Sequence, residues 1–193
     1  MSGFLVFKVY LLISTLMLAL YHDVKEQKIK NYVTYSAAFL GLTSNVAEYG
    51  LDGLGSALLG WLTPVIVLGL FYIANIMGAG DIKLFAAIGA IMGLSFTMYS
   101  FAYSVYFGGL IALIILYKKK QFRQRMYRIY EYLYFVAATR KIAPYCAKSD
   151  NRSKFIFSAA IVPGTILHLF MTLNLNQSEY TIAKELVKWL TVF

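Results

Sequence analysis

The chain has one cysteine, Cys146, three prolines and nine acidic residues among its 193 positions. A single cysteine excludes an intramolecular disulfide and any multi-cysteine metal site, a zinc ribbon included. Charge of either sign is scarce: 14% of positions are charged and 60% are hydrophobic, where soluble domains carry about 25% and about 45–50%. So apolar a chain reads as an integral membrane protein. The +9 net charge reports orientation by the positive-inside rule. A nucleic-acid partner would need a folded polar domain to carry that charge, and no stretch supplies one, so lipid is the expected surroundings. No internal repeat and no low-complexity tract interrupts the pattern.

A membrane span needs about 20 apolar residues at 1.5 Å per residue. Residues 4–21 meet that measure and end without a small-residue cleavage site, so they read as a retained first span despite Lys8. Residues 32–49 offer a weaker second span, with Asn45 and Glu48 near its far end, and 54–77 a strong third in which Pro64 predicts a kink. From Ile82 to Tyr117 the chain stays mostly apolar for 36 residues, about 54 Å as one helix and too long for a bilayer. It must fold in two, with a break expected near Leu94 to Ser100 and spans of roughly 82–97 and 99–117. Gly89 and Gly93, four apart, suit close helix packing. The basic segment 118–154 contains an aromatic stretch, 127–139, too short to cross and expected to lie at the interface. Residues 155–173 make a sixth span, and 180–193 are expected to lie on the surface. The fold class is all-α, a polytopic membrane protein with about six spans in a single domain, 1–193.

Lys and Arg number three in residues 22–31 and eleven in 118–154, with none in 48–53 or 94–99. Basic loops face the cytoplasm. Six alternating spans then put both Asp23 and the turn Gly78-Ala79-Gly80-Asp81-Ile82-Lys83 on the cytoplasmic side, at one depth. A carboxylate at a membrane rim costs energy to desolvate and is a functional candidate by default. Two of them brought close cannot both ionise easily, so one keeps a proton, and the pair can serve as base and acid on a water attacking a peptide bond. That chemistry calls for no metal and no cofactor, consistent with two isolated histidines and the lone cysteine. Gly78 and Gly80 are expected to let the chain turn tightly and a substrate backbone approach Asp81. Lys83 is expected to lower a carboxyl pKa, hold a substrate carbonyl, or anchor the cytoplasmic rim.

The run Gly78-Ala79-Gly80-Asp81-Ile82-Lys83-Leu84 resembles the Gly-x-Gly-Asp-x-Lys signature of type IV prepilin peptidases and their archaeal preflagellin-peptidase relatives. Asp23, followed by Ile29 and Asn31, is similar to their first-aspartate loop, with Lys30 where the family usually has Pro. The resemblance implies a membrane aspartic endopeptidase with Asp23 and Asp81 catalytic. Its substrate would be the basic leader of a prepilin-like protein, cut at the cytoplasmic face of the cell membrane. The methylating domain of the large bacterial members, with its cysteine pairs, has no counterpart here, so a peptidase-only protein similar to the short members is implied.

His22, beside Asp23, reads as an interfacial residue, and His168 as a packed histidine within the sixth span. A presenilin-like protease shares Gly-x-Gly-Asp but needs a Pro-Ala-Leu turn, which is missing here. A small transporter or pilus-assembly factor with non-catalytic carboxylates is the alternative outside the enzymes.

Overall fold

The computed structural model describes residues 3–74, 76–118, 127, 134 and 157–190. It is all-helical over these residues: α1 (Gly3–Glu26), α2 (Asn31–Ile73), α3 (Ala79–Met92), α4 (Leu94–Lys118) and α5 (Ser158–Leu190). The chain divides into a unit of residues 1–107 with 156–193 and a second unit, 108–155. Of the expected interfacial stretch 127–139, all but Tyr127 and Tyr134 lies outside the described residues. Three helices, α1, α2 and the 94–115 part of α4, are long and apolar enough to cross a membrane. Residues 158–174 form a shorter apolar stretch. The backbone of α5 runs as one helix from 158 to 190, so the sixth expected span continues without a break into residues 180–190.

Helix α2 carries the second and third expected spans. Its backbone leaves helical geometry at Gly50 (φ 64°, ψ −138°) and not at Pro64. Positive φ strains any residue with a Cβ, so glycine is the residue that fits this point. The chain turns back there, because a Cβ on Gly53 would fall against the backbone of Asn45, a residue about 12 Å away in a straight helix. The two arms, 31–49 and 51–73, both close on α3: a Cβ on Gly41 would meet the Ala90 backbone at 2.8 Å, and one on Gly60 would fall against the Gly89 oxygen. Helix α3 is therefore covered all round, buried at Ile82 and at every position from 84 to 91. That accounts for a sequence with no polar face there. Lipid tails are as apolar as leucine, so association in a membrane relies on such backbone-close packing and on interhelical hydrogen bonds.

The break after α3 falls at Gly93, ahead of the expected 94–100 window, and leaves a 14-residue helix, too short to span alone. Two features end α3. Gly93 adopts φ 89°, with its N–H on the Gly89 carbonyl at 2.8 Å. Asn45 donates its side-chain amide to the carbonyls of Ala90 (3.0 Å) and Ile91 (3.2 Å), satisfying groups that a helix end would otherwise leave bare among apolar neighbours. Asn45 in turn accepts from Lys8 Nζ at 2.9 Å, and Lys8 pairs with Glu48 while lying over the Tyr49 ring. A buried ammonium within a span is thus neutralised by the acid that the sequence left at the end of the second span. This polar knot joins α1, the first arm of α2 and the C-terminal end of α3.

Between α4 and α5, Gly164 lets the helices approach until a Cβ there would sit 2.6 Å from the Ser104 nitrogen. His168 packs among the rings of Phe96, Tyr99 and Tyr103, as a packed histidine should.

Candidate active site

From Lys8 to Asp23, α1 rises about 22 Å, so the polar knot lies at one end of the bundle and Asp23 at the other. The first arm of α2 returns from Asn31 to Asn45, and α3 runs the same way from Asp81 to Ile91. The C-terminus of α1 and the N-termini of α2 and α3 therefore meet at one end, and that end holds both aspartates.

Helix α1 stops at Glu26. Gln27 takes up the left-handed conformation (φ 53°) and returns its N–H to the Asp23 carbonyl at 2.9 Å, closing the last turn. This leaves Asp23 on the final turn, half-buried. His22 straps the loop from the outside: its Nε2 shares a hydrogen bond with the Tyr32 hydroxyl at 2.7 Å, and its ring meets Tyr21 and Tyr32 edge-on. Lys30, at the position where a proline was expected from the resemblance, caps α2 in extended geometry (φ −69°, ψ 134°) and pairs with Glu26 at 2.8 Å. Proline favours that same φ, so the loop reaches a proline-like conformation without the ring.

Asp81 is the third residue of α3, counted from Ala79 after the cap Gly78. Its carboxyl accepts the backbone N–H of Gly78, as the acid of a capping box does. Burial, reinforced by the charge of Asp23, outweighs that hydrogen bond and raises Asp81 from 3.8 to about 6. Asp23 is thus close enough for its charge to bear on Asp81, where the sequence could place the two only at a common depth.

The glycines act through proximity. Gly78 has φ −76°, and Gly80 is helical with no positive φ, so the tight-turn role expected of them is not what the backbone shows. A Cβ on Gly78 would stand 3.2 Å from Asp81 Oδ2, and one on Gly80 would meet Ile29 Cβ at 3.4 Å. Gly78 leaves the carboxyl room, and Gly80 receives the side chain of the first-aspartate loop. Lys83 donates to Asn31 Oδ1 at 3.0 Å and lies 5.7 Å over the Tyr35 ring. The pair of motifs that the sequence separates by fifty residues is knitted at Ile29–Gly80 and Asn31–Lys83. Tyr32 and Tyr35 were missed by sequence reasoning; Tyr35 had the signal of helical spacing, four residues after Asn31, and Tyr32 only its place beside Asn31.

Among the described residues no group of three or more His, Cys, Asp or Glu side chains is placed to hold a metal ion. A search of curated proteins returned no match, and neither did a search of solved structures. Residues 10–113, more than half of the chain and inclusive of both aspartate loops, match the type IV leader peptidase family. The chain belongs to the type IV leader peptidase family and is a membrane peptidase.

Proposed function

We propose that the protein is an aspartic endopeptidase that removes the basic leader of a prepilin-like substrate at the cytoplasmic face of the membrane, with Asp23 and Asp81 as its catalytic pair. The observation that carries this reading is the meeting of the two aspartate-bearing segments at Ile29–Gly80 and Asn31–Lys83, where burial and the charge of Asp23 raise the Asp81 carboxyl. We assign Asp81, whose carboxyl is raised by burial and by the charge of Asp23, as the acid, and Asp23 as the base. Asp23 takes a proton from a water as its oxygen adds to the scissile carbonyl carbon, and Asp81 gives its proton to the carbonyl oxygen. Asp23 then gives its proton to the leaving nitrogen while Asp81 takes one back from a hydroxyl of the tetrahedral diol, so that the C–N bond breaks, the leader is released and both acids return to their starting states.

Six helical passes fit the chain when each arm of α2 is counted, at about 28 Å and 34 Å, together with α1, α4, α5 and the shorter α3, which at about 21 Å passes only as the enclosed centre of the bundle. The Lys and Arg bias then puts the acid end in the cytoplasm, where a basic leader meets it while the substrate's hydrophobic segment stays in lipid. The substrate backbone passes Gly78, whose missing side chain leaves the Asp81 carboxyl accessible. The test is co-expression with candidate prepilins and N-terminal sequencing of the product. A new N-terminus at the junction between the basic leader and the hydrophobic segment is expected, and unprocessed prepilin with every candidate would refute the reading.

A further inference from the structure

Lys83 follows Asp81 by two residues, about 200° around the helix, so its side chain leaves α3 on the side away from the carboxyl. There it meets the first turn of α2: its ammonium donates to Asn31 Oδ1 and stands over the Tyr35 ring. Asn31 and Ile29 belong to the same short loop that follows Asp23. Ile29 touches α3 at Gly80, one residue before Asp81, and Asn31 touches it at Lys83, two residues after. The segment bearing one acid is thus held to the segment bearing the other on both sides of Asp81. The apolar contact is non-directional, whereas an ammonium on a side-chain carbonyl and an aromatic face fixes direction and distance.

We infer that Lys83 is a positioning residue that works through Asn31, clasping the α1–α2 loop to the first turn of α3 and so setting the spacing of the two aspartates. This rests on the peptidase reading for its consequence in rate, but not for the clasp itself. It gives the lysine of the motif a task other than contact with substrate. A small displacement of reacting groups is enough to cost a large factor in rate.

The test has an arm that needs no substrate. In a Cys146→Ser background, spin labels at Lys28→Cys and Ala79→Cys, both exposed and one on each clasped segment, report the spacing by electron paramagnetic resonance in nanodiscs. Lys83→Met should broaden the interspin distribution and Lys83→Arg should keep it narrow; a distribution that Lys83→Met leaves unchanged overturns the inference. In the activity arm Lys83→Met should lower kcat at least tenfold, with KM within about twofold. Asn31→Leu combined with Lys83→Met should cost no more than either change alone. A raised KM with kcat retained, or losses that multiply in the double variant, would make Lys83 a substrate contact and overturn the clasp. A wild-type protein that cleaves no prepilin would remove the peptidase reading, while the spin-label arm still decides whether Lys83 holds the two loops together.

Discussion

Ile29 packs against Gly80, its Cβ, Cγ1 and Cδ1 standing 3.4, 3.5 and 3.6 Å from where a Cβ at position 80 would lie. These are ordinary contact distances, so alanine fits and a branched side chain does not. Gly80→Ala should retain most activity. Gly80→Val should push Ile29 and the loop beyond Asp23 aside, an overpacking cost of about 1–3 kcal/mol, with a clear loss of cleavage. Ala79→Val, at an exposed position, should change little. The measurement is the cleaved fraction of a co-expressed prepilin at matched enzyme levels. Equal activity of Gly80→Val and wild type would remove the loop contact from the account.

The Asp81 carboxyl gives a pH dependence with a definite sign. Its folded value of about 6 lies above its ordinary 3.8, so between those values the folded state binds more protons than the unfolded. Stability therefore falls as pH rises from about 4 to about 6 and levels off above. The shift from 3.8 to about 6 corresponds to at most ~3 kcal/mol. Asp81→Asn keeps an acceptor for the Gly78 N–H but carries no charge, so it should unfold at higher temperature than wild type at pH 7 and lose the slope. Asp23→Asn should only reduce that slope, since burial is the larger cause. Thermal unfolding in nanodiscs across pH 4–7 reads all three, and a wild type whose stability rises over that interval would contradict the assignment.

At the opposite end, Asn45→Leu strips the carbonyls of Ala90 and Ile91 of their partner and Lys8 of one acceptor. Each buried group left unsatisfied costs about 1–3 kcal/mol, so the variant should unfold at lower temperature yet cleave normally per folded molecule. Lys8→Met with Glu48→Gln should be milder than Lys8→Met alone, because removing the ammonium takes the counter-charge from the Glu48 carboxylate. A scan of unfolding temperature against specific activity checks both.

The threading of α3 between the arms of α2 makes Gly60 and Gly89 unforgiving, since a Cβ on either would overlap the other's backbone oxygen, far inside van der Waals contact. Gly89→Ala should leave little folded protein in membranes, judged by gel filtration after extraction. A normally folded Gly89→Ala would show that α3 is not so enclosed.

What could be read in the sequence is the chemistry, and what could not is the joinery. Asp23 and Asp81 stood out because carboxylates are costly at a membrane rim, and the Lys and Arg bias alone brought them to one face. A break near the end of α3 was expected because 82–117 is too long for one crossing, and it falls one residue ahead of the expected window, at Gly93; its cause, the remote Asn45, was not legible, since in sequence Asn45 only weakens a span. The turn at Gly50, by contrast, falls within 48–53, between the second and third expected spans. Gly80 was noticed for the wrong reason: backbone freedom was expected, but the structure fills its space with Ile29, a contact across fifty residues that no local pattern encodes. Lys30 in place of a proline looked like a departure, yet its backbone takes the φ that proline favours.

The central claim is that two carboxyl groups and no metal carry out cleavage. The direct measurement is the rate of leader removal by purified enzyme in lipid nanodiscs, for wild type, Asp23→Asn and Asp81→Asn at equal amounts of folded protein, with and without EDTA. Each Asn variant should lose about 10²–10⁴-fold in rate, and EDTA should leave the wild type unchanged. Cleavage at the wild-type rate by either variant, or a loss in EDTA that zinc restores, would contradict it.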